Sequence, residues 1–314
     1  MKDILFPIPT HVSKNFTKID MEGLGFIEGS IKKNYHTGWR SESNYSKENY
    51  KADLRAHLYE RLESDRGTIV PWIDNATNLK RMRILEIGCG TGSSSIALAE
   101  QGARVTGIDI DEGALIVAKD RSDVYNVDAE FKLLNAQQIS GVFNDGEFDV
   151  IIFFACLEHM TIAERLSSLR DAWEILPTNG LLVIVETPNR LWYFDDHSSM
   201  LPFFHWLPNE LAFWYTKFSS RENFRELYNE DNEVSKEHFI RRGRGVSFHE
   251  VDIAIGPVDH LKVISSLSTF QGLGYRLKES RMARQYKTIL RRLSPNIHEG
   301  FFDNYLDLII QKKS

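Results

Sequence analysis

The sequence predicts an α/β protein built on a doubly wound, mostly parallel sheet. Short apolar runs, such as 84–87 and 181–185, alternate with segments of helical periodicity. This alternation is typical of a parallel sheet that is covered by helices on both faces. A glycine-rich turn over 88–92 leads from the first apolar run into a helical segment, and such a turn brings backbone amides close to a ligand.

The elements of the predicted core follow from local signals. Leucines that recur every four residues predict a helix over 49–63, within an otherwise polar and irregular N-terminal segment. Asp111 can cap a helix that begins at Glu112, and Thr161 opens a T-x-x-E capping box. The segment 261–264 is predicted as a helix. The predicted strands are 83–87, 104–109, 130–134, 149–154, 181–186 and 305–310, and further helices are predicted over 92–100, 112–119 and from 161 to Leu176.

After Pro188 the strand–helix alternation stops for about 60 residues, and the segment 190–250 is aromatic and helical in character. Its aromatic residues either form the core by which a cap docks or line a site for a ring or a lipid tail. A shorter segment, 35–40, is either a lid over the site or an ordinary loop. The predicted domains are a helical N-terminal extension or lid (1–80), an α/β core (81–190), an inserted cap (191–255) and a completion of the core (256–314).

Composition limits the classes of function. The chain has 314 residues, of which 42% are hydrophobic and 26% charged, and this composition predicts a globular protein. Its formal net charge of −6 argues against nucleic acid as the main partner. There are two cysteines, Cys89 and Cys156, and the first residues do not read as a signal peptide, so a reducing, cytoplasmic setting is expected. No apolar run is long enough to predict a membrane span.

The glycine turn and the following acid predict a nucleoside-containing cofactor. Asp109 ends the second apolar run, near the offset at which a carboxylate takes ribose hydroxyls. A dinucleotide fingerprint starting at Gly88 would need glycine at position 93, where the chain has serine. The pattern is instead E-x-G-x-G-x-G, with Glu86 as its acid.

This pattern resembles motif I of the class I S-adenosylmethionine-dependent methyltransferases. The resemblance implies a Rossmann-like methyltransferase fold with a seven-stranded sheet and S-adenosylmethionine as the cofactor, whose amino group an acid can hold. In this family, an acid or amide followed by alanine after the third strand often binds the adenine edge. The resemblance therefore implies Asn135 and Ala136 for this role. Asn135 also suits an Asx turn. The predicted cofactor-binding residues are Glu86, Gly88, Cys89, Gly90, Gly92, Asp109, Ile110, Asn135, Ala136 and Phe154.

The L-E-H sequence at 157–159 is similar to that of small-molecule methyltransferases, including the ubiquinone-biosynthesis O-methyltransferases. Those enzymes usually have a further acid three positions before this glutamate, for a metal. Ala155 stands there in this chain, so no metal site is predicted. The resemblance covers about 83–190, and it is more specific for fold and cofactor than for substrate.

Methyl transfer to oxygen is an in-line displacement that also needs a base for the acceptor's proton. A histidine that titrates near neutral pH is the usual base. His197, next to two acids in the loop after strand five, is the first candidate, followed by His205 and Glu158. The structural alternatives are packing or capping histidines and a glutamate that interacts with a helix N-terminus.

The sequence therefore predicts an S-adenosylmethionine-dependent methyltransferase for a small-molecule or glycan acceptor, most readily at oxygen, similar to bacterial enzymes that modify glycans or secondary metabolites. The alternatives are a phenolic ubiquinone-type O-methyltransferase, a non-catalytic cofactor-binding module and an NAD-dependent oxidoreductase. No N/D-P-P-Y/F sequence follows the fourth strand, which argues against nucleic-acid and glutamine N-methylation. The basic segments 241–244 and 281–292 either meet an anionic substrate or a membrane surface, or are solvated faces. The oligomeric state is not predicted.

Overall fold

The structure is a computed structural model, and it describes residues 13–43, 46–229 and 233–313. Its seven strands form one sheet in the order β3-β2-β1-β4-β5-β7-β6. This confirms the predicted fold class of a mostly parallel, doubly wound sheet with helices. The strands are β1 Arg83–Ile87, β2 Arg104–Asp109, β3 Ala129–Leu133, β4 Val150–Phe154, β5 Leu181–Pro188, β6 Lys262–Ser266 and β7 Tyr305–Gln311.

The chain divides between Asn135 and Ala136 into two compact units. In the first unit, β1 and β3 both pair with β2 in parallel, and Ile84 is opposite Val105. The inner residues of β1 and β2 are all buried, and apart from Glu86 and Thr106 they are apolar or glycine, as a parallel sheet covered on both faces favours. Its helices are α1 Met21–Ser30, α2 Lys47–Arg55, α3 Arg61–Ser64, α4 Val70–Ala76, α5 Ser93–Ala99 and α6 Glu112–Tyr125.

The N-terminal segment is more regular than its polar composition predicts. Asp20 accepts a hydrogen bond from the backbone of Gly23 and caps α1, which continues as a π-helical turn over Ile31–Tyr35. The expectation of an irregular segment is therefore wrong for 21–35. The predicted helix over 49–63 is confirmed within a longer helical stretch from 47 to 76, in which α and π turns alternate.

In the second unit, β4 and β5 are parallel, and β7 runs antiparallel to both β5 and β6. The predicted helix at 261–264 is wrong, because this segment belongs to strand β6. Three apolar residues and a lysine cannot distinguish a helix from a strand, and pairing of 262–266 with β7 decides the outcome. The helices of the second unit are α7 Ile139–Val142, α8 Ile162–Ile175, α9 Asn209–Tyr215, α10 Glu222–Asn229, α11 Glu233–Ile240, α12 Phe248–Ala254, α13 Leu267–Gln271, α14 Leu273–Lys278 and α15 Arg281–Leu293.

The aromatic segment after β5 forms a local core of its own. Its buried members pack together as one apolar cluster: Leu201, Phe204, Ala212, Phe213, Phe224 and Phe239. Much of the aromatic character is thus used for packing, whereas Trp206 and Trp214 remain about half exposed. None of the helices in the described ranges combines the length and the apolar character needed to cross a membrane.

Candidate cofactor and acceptor sites

The glycine turn in the first unit has a backbone that only glycine adopts readily. Gly88, Gly90 and Gly92 all have positive φ, at 81°, 50° and 80°. A Cβ at Gly92 would lie 2.9 Å from the Cβ of Ala118, so this glycine lets α5 pack closely on α6. A Cβ at Gly90 would meet nothing within 4 Å. The loop is therefore open at Gly90, where a ligand could approach its backbone.

Asp109, the last residue of β2, holds this loop in place. Its Oδ2 accepts a hydrogen bond from the Gly90 amide at 2.8 Å, and its Oδ1 accepts one from the Asp111 amide at 2.9 Å. Asp111 in turn accepts from the Ala114 amide at 3.0 Å, which confirms that it caps α6. Each carboxylate oxygen of Asp109 keeps acceptor capacity for a further donor such as a ribose hydroxyl.

Glu86 is fully buried, and serines in the first turn of α5 bind its carboxylate. Its oxygens accept hydrogen bonds from the hydroxyls of Ser94 and Ser95. Burial raises the pKa of Glu86, and the two serine hydroxyls oppose that shift. Glu86 thus ties β1 to the helix that follows the loop, and its contact with a cofactor amino group stays a prediction.

The other predicted cofactor residues divide between the two units. In the first unit, Cys89 is buried within the loop, whereas Ile110 is 73% exposed directly after Asp109. Asn135 is an exposed residue beyond the end of β3. In the second unit, Ala136 is buried at the start of a 3₁₀ turn and Phe154 is half-buried at the end of β4. Their contacts with a cofactor stay predictions.

The N-terminal extension contacts the glycine loop through residues that sequence reasoning missed. Buried Arg121 on α6 donates to the carbonyl oxygen of Thr91 at 3.0 Å and to those of His57 and Leu58. The His57 ring lies 3.2 Å from the Thr91 hydroxyl, and burial lowers the pKa of His57 to about 2, so this ring is neutral. The sequence did contain a sign of this role, because Arg121 occupies the apolar face of its helix.

The predicted lid segment 35–40 contacts the start of α6. Arg40 donates to Asp111 at 2.6 Å and its guanidinium lies over the ring of Tyr35. The backbone comes so close to α6 that a Cβ at Gly113 would lie 2.1 Å from the carbonyl oxygen of Asn34. These contacts place the segment beside Asp111, the N-cap of α6.

The second unit brings together two of the three predicted catalytic residues. Glu158 lies in a 3₁₀ turn, Leu157–His159, beyond β4, and His197 lies in the loop after β5. One carboxylate oxygen of Glu158 is 3.8 Å from Nε2 of His197 and 3.7 Å from Nε2 of His159. Nδ1 of His159 donates to the carbonyl oxygen of Arg241 at 2.8 Å, which leaves Nε2 directed at the carboxylate.

Burial controls the charge of this cluster. Both carboxylate oxygens of Glu158 are buried, and neither accepts a hydrogen bond from any described residue. Burial raises the pKa of Glu158 to about 6, against the opposing effect of His159. Burial also lowers the pKa of His197 to about 4, with a smaller contribution from His159. His197 is therefore a neutral imidazole at neutral pH and can accept a proton.

His205 occupies a different environment from His197. It is buried, its Nδ1 accepts from the Gly245 amide at 3.1 Å, and its Nε2 lies 3.3 Å from Asp195. Although burial acts to raise the pKa of Asp195, the nearby His205 ring and hydrogen bonds from backbone amides hold that pKa below its usual range. This arrangement favours the packing alternative for His205, whose predicted catalytic role is untested.

The acids beside His197 form their hydrogen bonds with groups other than its ring, although the charge of Asp195 acts to raise the pKa of His197. Asp195 accepts from the backbone amide of His197 at 3.1 Å, and Asp196 binds Asn304 and Tyr305. The carboxylate near the imidazole is that of Glu158, from another loop. Sequence proximity could not reveal this pairing, because the two residues are brought together by neighbouring strand ends.

The backbone beyond β4 is strained. Ala155 has a φ of 44°, in the left-handed region that non-glycine residues rarely adopt. Its amide donates to the carbonyl oxygen of Val185, which holds the turn against β5 at 3.0 Å. Strain of this kind is often kept where it positions functional groups, and here it precedes Glu158 by three residues.

The same cluster could hold a metal ion, although none was predicted. One ligand atom each from Glu158, His159 and His197 lie within 4.8 Å of one another. Two imidazoles and a carboxylate suit Zn²⁺ or another first-row divalent ion. The prediction of no metal was based on Ala155, but His197 supplies a third ligand from a loop outside that motif.

The basic segments have several partners within the chain. Arg241 forms two hydrogen bonds to Glu164, at 2.8 and 2.9 Å, and buried Arg244 donates to the carbonyl oxygens of Phe204 and Leu207. On α15, Arg281 and Arg284 are exposed. Their expected contact with an anionic substrate or a membrane surface stays a prediction.

Residues 84–180 match the model of a family described as "Methyltransferase domain". This match confirms the resemblance found in the glycine motif. Residues 84–180, about a third of the chain, are thus similar to methyltransferase domains. It contains β1, β2, β3 and β4, the glycine loop, Asp109 and Glu158.

Curated relatives match a little over a third of the chain. The ubiquinone biosynthesis O-methyltransferase of Pseudomonas aeruginosa (strain UCBPP-PA14) is 35% identical over 121 residues, which are 38% of this chain and 50% of that protein. The protein of the same name from Pseudomonas entomophila (strain L48) is 34% identical over 121 residues, with the same shares. The chain thus spans about half the length of the curated relatives it matches.

The solved structures that the chain matches include a SAM-dependent methyltransferase from Methanosarcina mazei, with 20% sequence identity and a TM-score of 0.43. That similarity covers 78% of this chain and 99% of the other. Magnesium protoporphyrin IX methyltransferase from Synechocystis PCC 6803, solved with bound SAM, has 22% identity and a TM-score of 0.38, over 55% of this chain and 80% of the other.

Proposed function

We propose that this chain, whose residues 84–180 form a methyltransferase domain, transfers a methyl group from S-adenosylmethionine to a hydroxyl of a small molecule. The observation that carries the proposal is the glycine loop of that domain, which is open at Gly90 and fixed to Asp109 by a hydrogen bond of 2.8 Å. The loop leaves room for a ligand at its backbone, and Asp109 has acceptor capacity for ribose hydroxyls.

S-adenosylmethionine supplies both the methyl group and, as a sulfonium, the leaving group. The chain has to bind the nucleoside, orient the acceptor, exclude water and remove one proton. We assign the nucleoside to the glycine loop, Asp109 and Ile110, with Asn135 and Ala136 at the adenine. Cys89 and Phe154 complete this assignment.

We assign the proton transfer to the Glu158–His197 pair. The O–CH₃ bond forms as the S–CH₃ bond breaks, sulfur keeps the electron pair, and Nε2 of His197 accepts the hydroxyl proton. A neutral His197 is ready to accept it, and the carboxylate of Glu158 at 3.8 Å would stabilise the imidazolium that results. The similarity to O-methyltransferases of ubiquinone biosynthesis supports oxygen as the acceptor atom.

A second candidate is a metal-assisted O-methyltransferase of the phenolic type. It is favoured by the cluster of Glu158, His159 and His197, whose ligand atoms could hold a divalent ion. The metal would act as a Lewis acid toward the acceptor oxygen. In that case His197 would be a ligand instead of a base.

We also propose that the regions 1–80 and 191–255 serve as a lid and an acceptor cap, and that 81–190 and 256–314 form the core. A small molecule or glycan in the cytoplasm remains the proposed acceptor, and nucleic acid is not proposed as a partner. The net charge of −6 supports the last point.

Isothermal titration with S-adenosylhomocysteine and, separately, with NAD tests the cofactor assignment. We expect binding of the first and none of the second, and the reverse result would favour an oxidoreductase. Methyl transfer from labelled S-adenosylmethionine to a panel of hydroxylated acceptors then separates an enzyme from a binding module. A binding module would keep its biological activity when Asp109→Ala removes cofactor affinity.

A further inference from the structure

The second unit contains a cavity of about 570 Å³ that the assignments above leave unused. This volume suits a ligand of one or two rings. The cavity opens beside the start of α8, the loop after β5, helix α12 and helix α15. Ile162 and Leu191 give it apolar walls.

Two aromatic side chains line the cavity. The rings of Trp206 and Tyr286 are stacked, with centroids 6.4 Å apart and planes 27° apart. Tyr286 is held in place because its hydroxyl donates to the carbonyl oxygen of Leu191 at 2.5 Å. Trp206 is about half exposed, so its ring is accessible to a ligand. Such surfaces favour contact with the flat face of a ring.

A buried carboxylate in the wall lacks a partner for one oxygen. Glu250 is 6% exposed, and its Oε2 accepts from Arg165 at 3.2 Å. Its Oε1 accepts no hydrogen bond from any residue in the described ranges. Arg165 cannot readily turn to Oε1, because it also donates to four backbone carbonyl oxygens. A buried carboxylate oxygen without a partner is costly, so a donor on a ligand would be bound strongly there.

A cation in the same wall is also without a partner. Arg190 lines the cavity, and its guanidinium makes no hydrogen bond or ion pair with any residue that the structure describes, Glu250 included. The positive charge of Arg190 helps to lower the pKa of Arg244, second to the effect of burial, so the two guanidiniums are near enough to repel. An anionic group on a ligand would relieve this repulsion.

From these features we infer that the cavity binds a ring compound that carries both an anionic group and a hydroxyl. The anion pairs with Arg190, the hydroxyl donates to Oε1 of Glu250, and the ring lies against Trp206 and Tyr286. An aromatic hydroxy acid and a sugar acid share this chemistry. That the bound compound is the methyl acceptor rests on the proposed function, but the binding itself does not.

The test is direct binding to the full chain without S-adenosylmethionine, by titration calorimetry and ligand-observed NMR. The anionic probes are 4-hydroxybenzoate and D-glucuronate, and the neutral probes are 4-hydroxybenzamide and methyl β-D-glucoside. We expect one anionic probe to bind at least about tenfold more tightly than its neutral counterpart. The better of the two identifies the source of the ring. Equal affinity within both pairs, or no binding of either anionic probe at millimolar concentration, would overturn the inference.

Two variants assign the contacts. Arg190→Gln should bring the ratio of anionic to neutral affinity close to one, whereas Arg276→Gln, at an exposed arginine on α14, should leave it unchanged. In Glu250→Gln the amide oxygen would face Arg165 and the NH₂ group would take the place of Oε1. This variant should weaken 4-hydroxybenzoate about tenfold or more and leave benzoate, which has no hydroxyl, unaffected.

A far-UV circular dichroism spectrum and a thermal unfolding midpoint that match those of the unsubstituted protein show that each variant is folded. An unchanged anion preference in Arg190→Gln would overturn the inference. Probe binding as expected, together with an absence of any methyl transfer, would count against the proposed function alone.

Discussion

The carboxylate of Glu158 and Nε2 of His197 lie 3.8 Å apart, although 39 positions separate the two residues in the sequence. Glu158 follows β4 and His197 follows β5, and these strands are parallel neighbours. The parallel pairing thus brings the loops at their carboxyl ends together. The result is an acid–imidazole pair in which the acid is wholly buried.

If His197 is the base, His197→Ala should lower kcat about 10²–10⁴-fold, the usual contribution of general base catalysis. Affinity for S-adenosylhomocysteine should not change, because the predicted cofactor residues do not include His197. Steady-state kinetics and calorimetry measure the two quantities. His260→Ala, at an exposed histidine, is the matched control. A variant that turns over at the normal rate would remove His197 from the reaction.

If the cluster instead holds a metal, exhaustive dialysis against EDTA should abolish turnover, and Zn²⁺, Mn²⁺ or Mg²⁺ should restore it. Elemental analysis of the purified protein should then show about one ion per chain, and His159→Ala should lose it. Full activity in EDTA, with no metal detected, would leave the base mechanism as the explanation.

Asp109→Asn should weaken binding of S-adenosylhomocysteine about tenfold or more. The variant removes the charge that would accept ribose hydroxyls and weakens the hydrogen bond from the Gly90 amide. Calorimetry gives the dissociation constant. Asp128→Asn changes an exposed acid in the same unit and should have no effect. Equal loss in both variants would point to net charge instead of a specific contact.

The lid prediction for 35–40 depends on the ion pair between Arg40 and Asp111. Both side chains are partly exposed, so the pair contributes little to the free energy of unfolding, about 1 kcal/mol at most. Arg40→Ala should nevertheless speed dissociation of S-adenosylhomocysteine several-fold, as measured by stopped flow, because the lid would open more often. Arg55→Ala breaks an exposed pair with Glu60 and serves as control. Identical dissociation rates in all three proteins would show that the segment is an ordinary loop.

Asp307 in β7 should make stability depend on pH. Burial raises the pKa of Asp307 to about 7, against the hydrogen bond from the Glu186 amide. An unfolded aspartate titrates near 4. Between these values the folded state binds the extra proton, so the free energy of unfolding falls as pH rises and levels off above 7.

Asp307→Asn should remove that dependence. Relative to the unsubstituted protein, the variant should gain about 3 kcal/mol at most in the free energy of unfolding when pH rises from 5 to 8. Urea titrations at these two pH values measure the gain in the free energy of unfolding. Asp145→Asn, in an exposed turn, should show none. If the difference in the free energy of unfolding between Asp307→Asn and the unsubstituted protein is the same at both pH values, Asp307 is ionised throughout this range.

Local signals in the sequence predicted much of the core. The apolar runs at β1, β2 and β5, the capping residues Asp111 and Thr161, and the glycine turn all act within a few residues of each other. For that reason they could be recognised without a fold. The helix predicted at 261–264 failed because its outcome depends on pairing with β7, more than 40 residues away.

By itself the sequence determined the parallel core and the glycine loop with Asp109, because backbone conformation and strand burial are set by residue type and short-range spacing. Only the tertiary structure decided which acid faces His197, that His205 is paired with Asp195, and that Glu250 and Arg190 share a cavity wall. Those relationships depend on which loops and helices the fold brings together, and the spacing of residues along one chain does not record that.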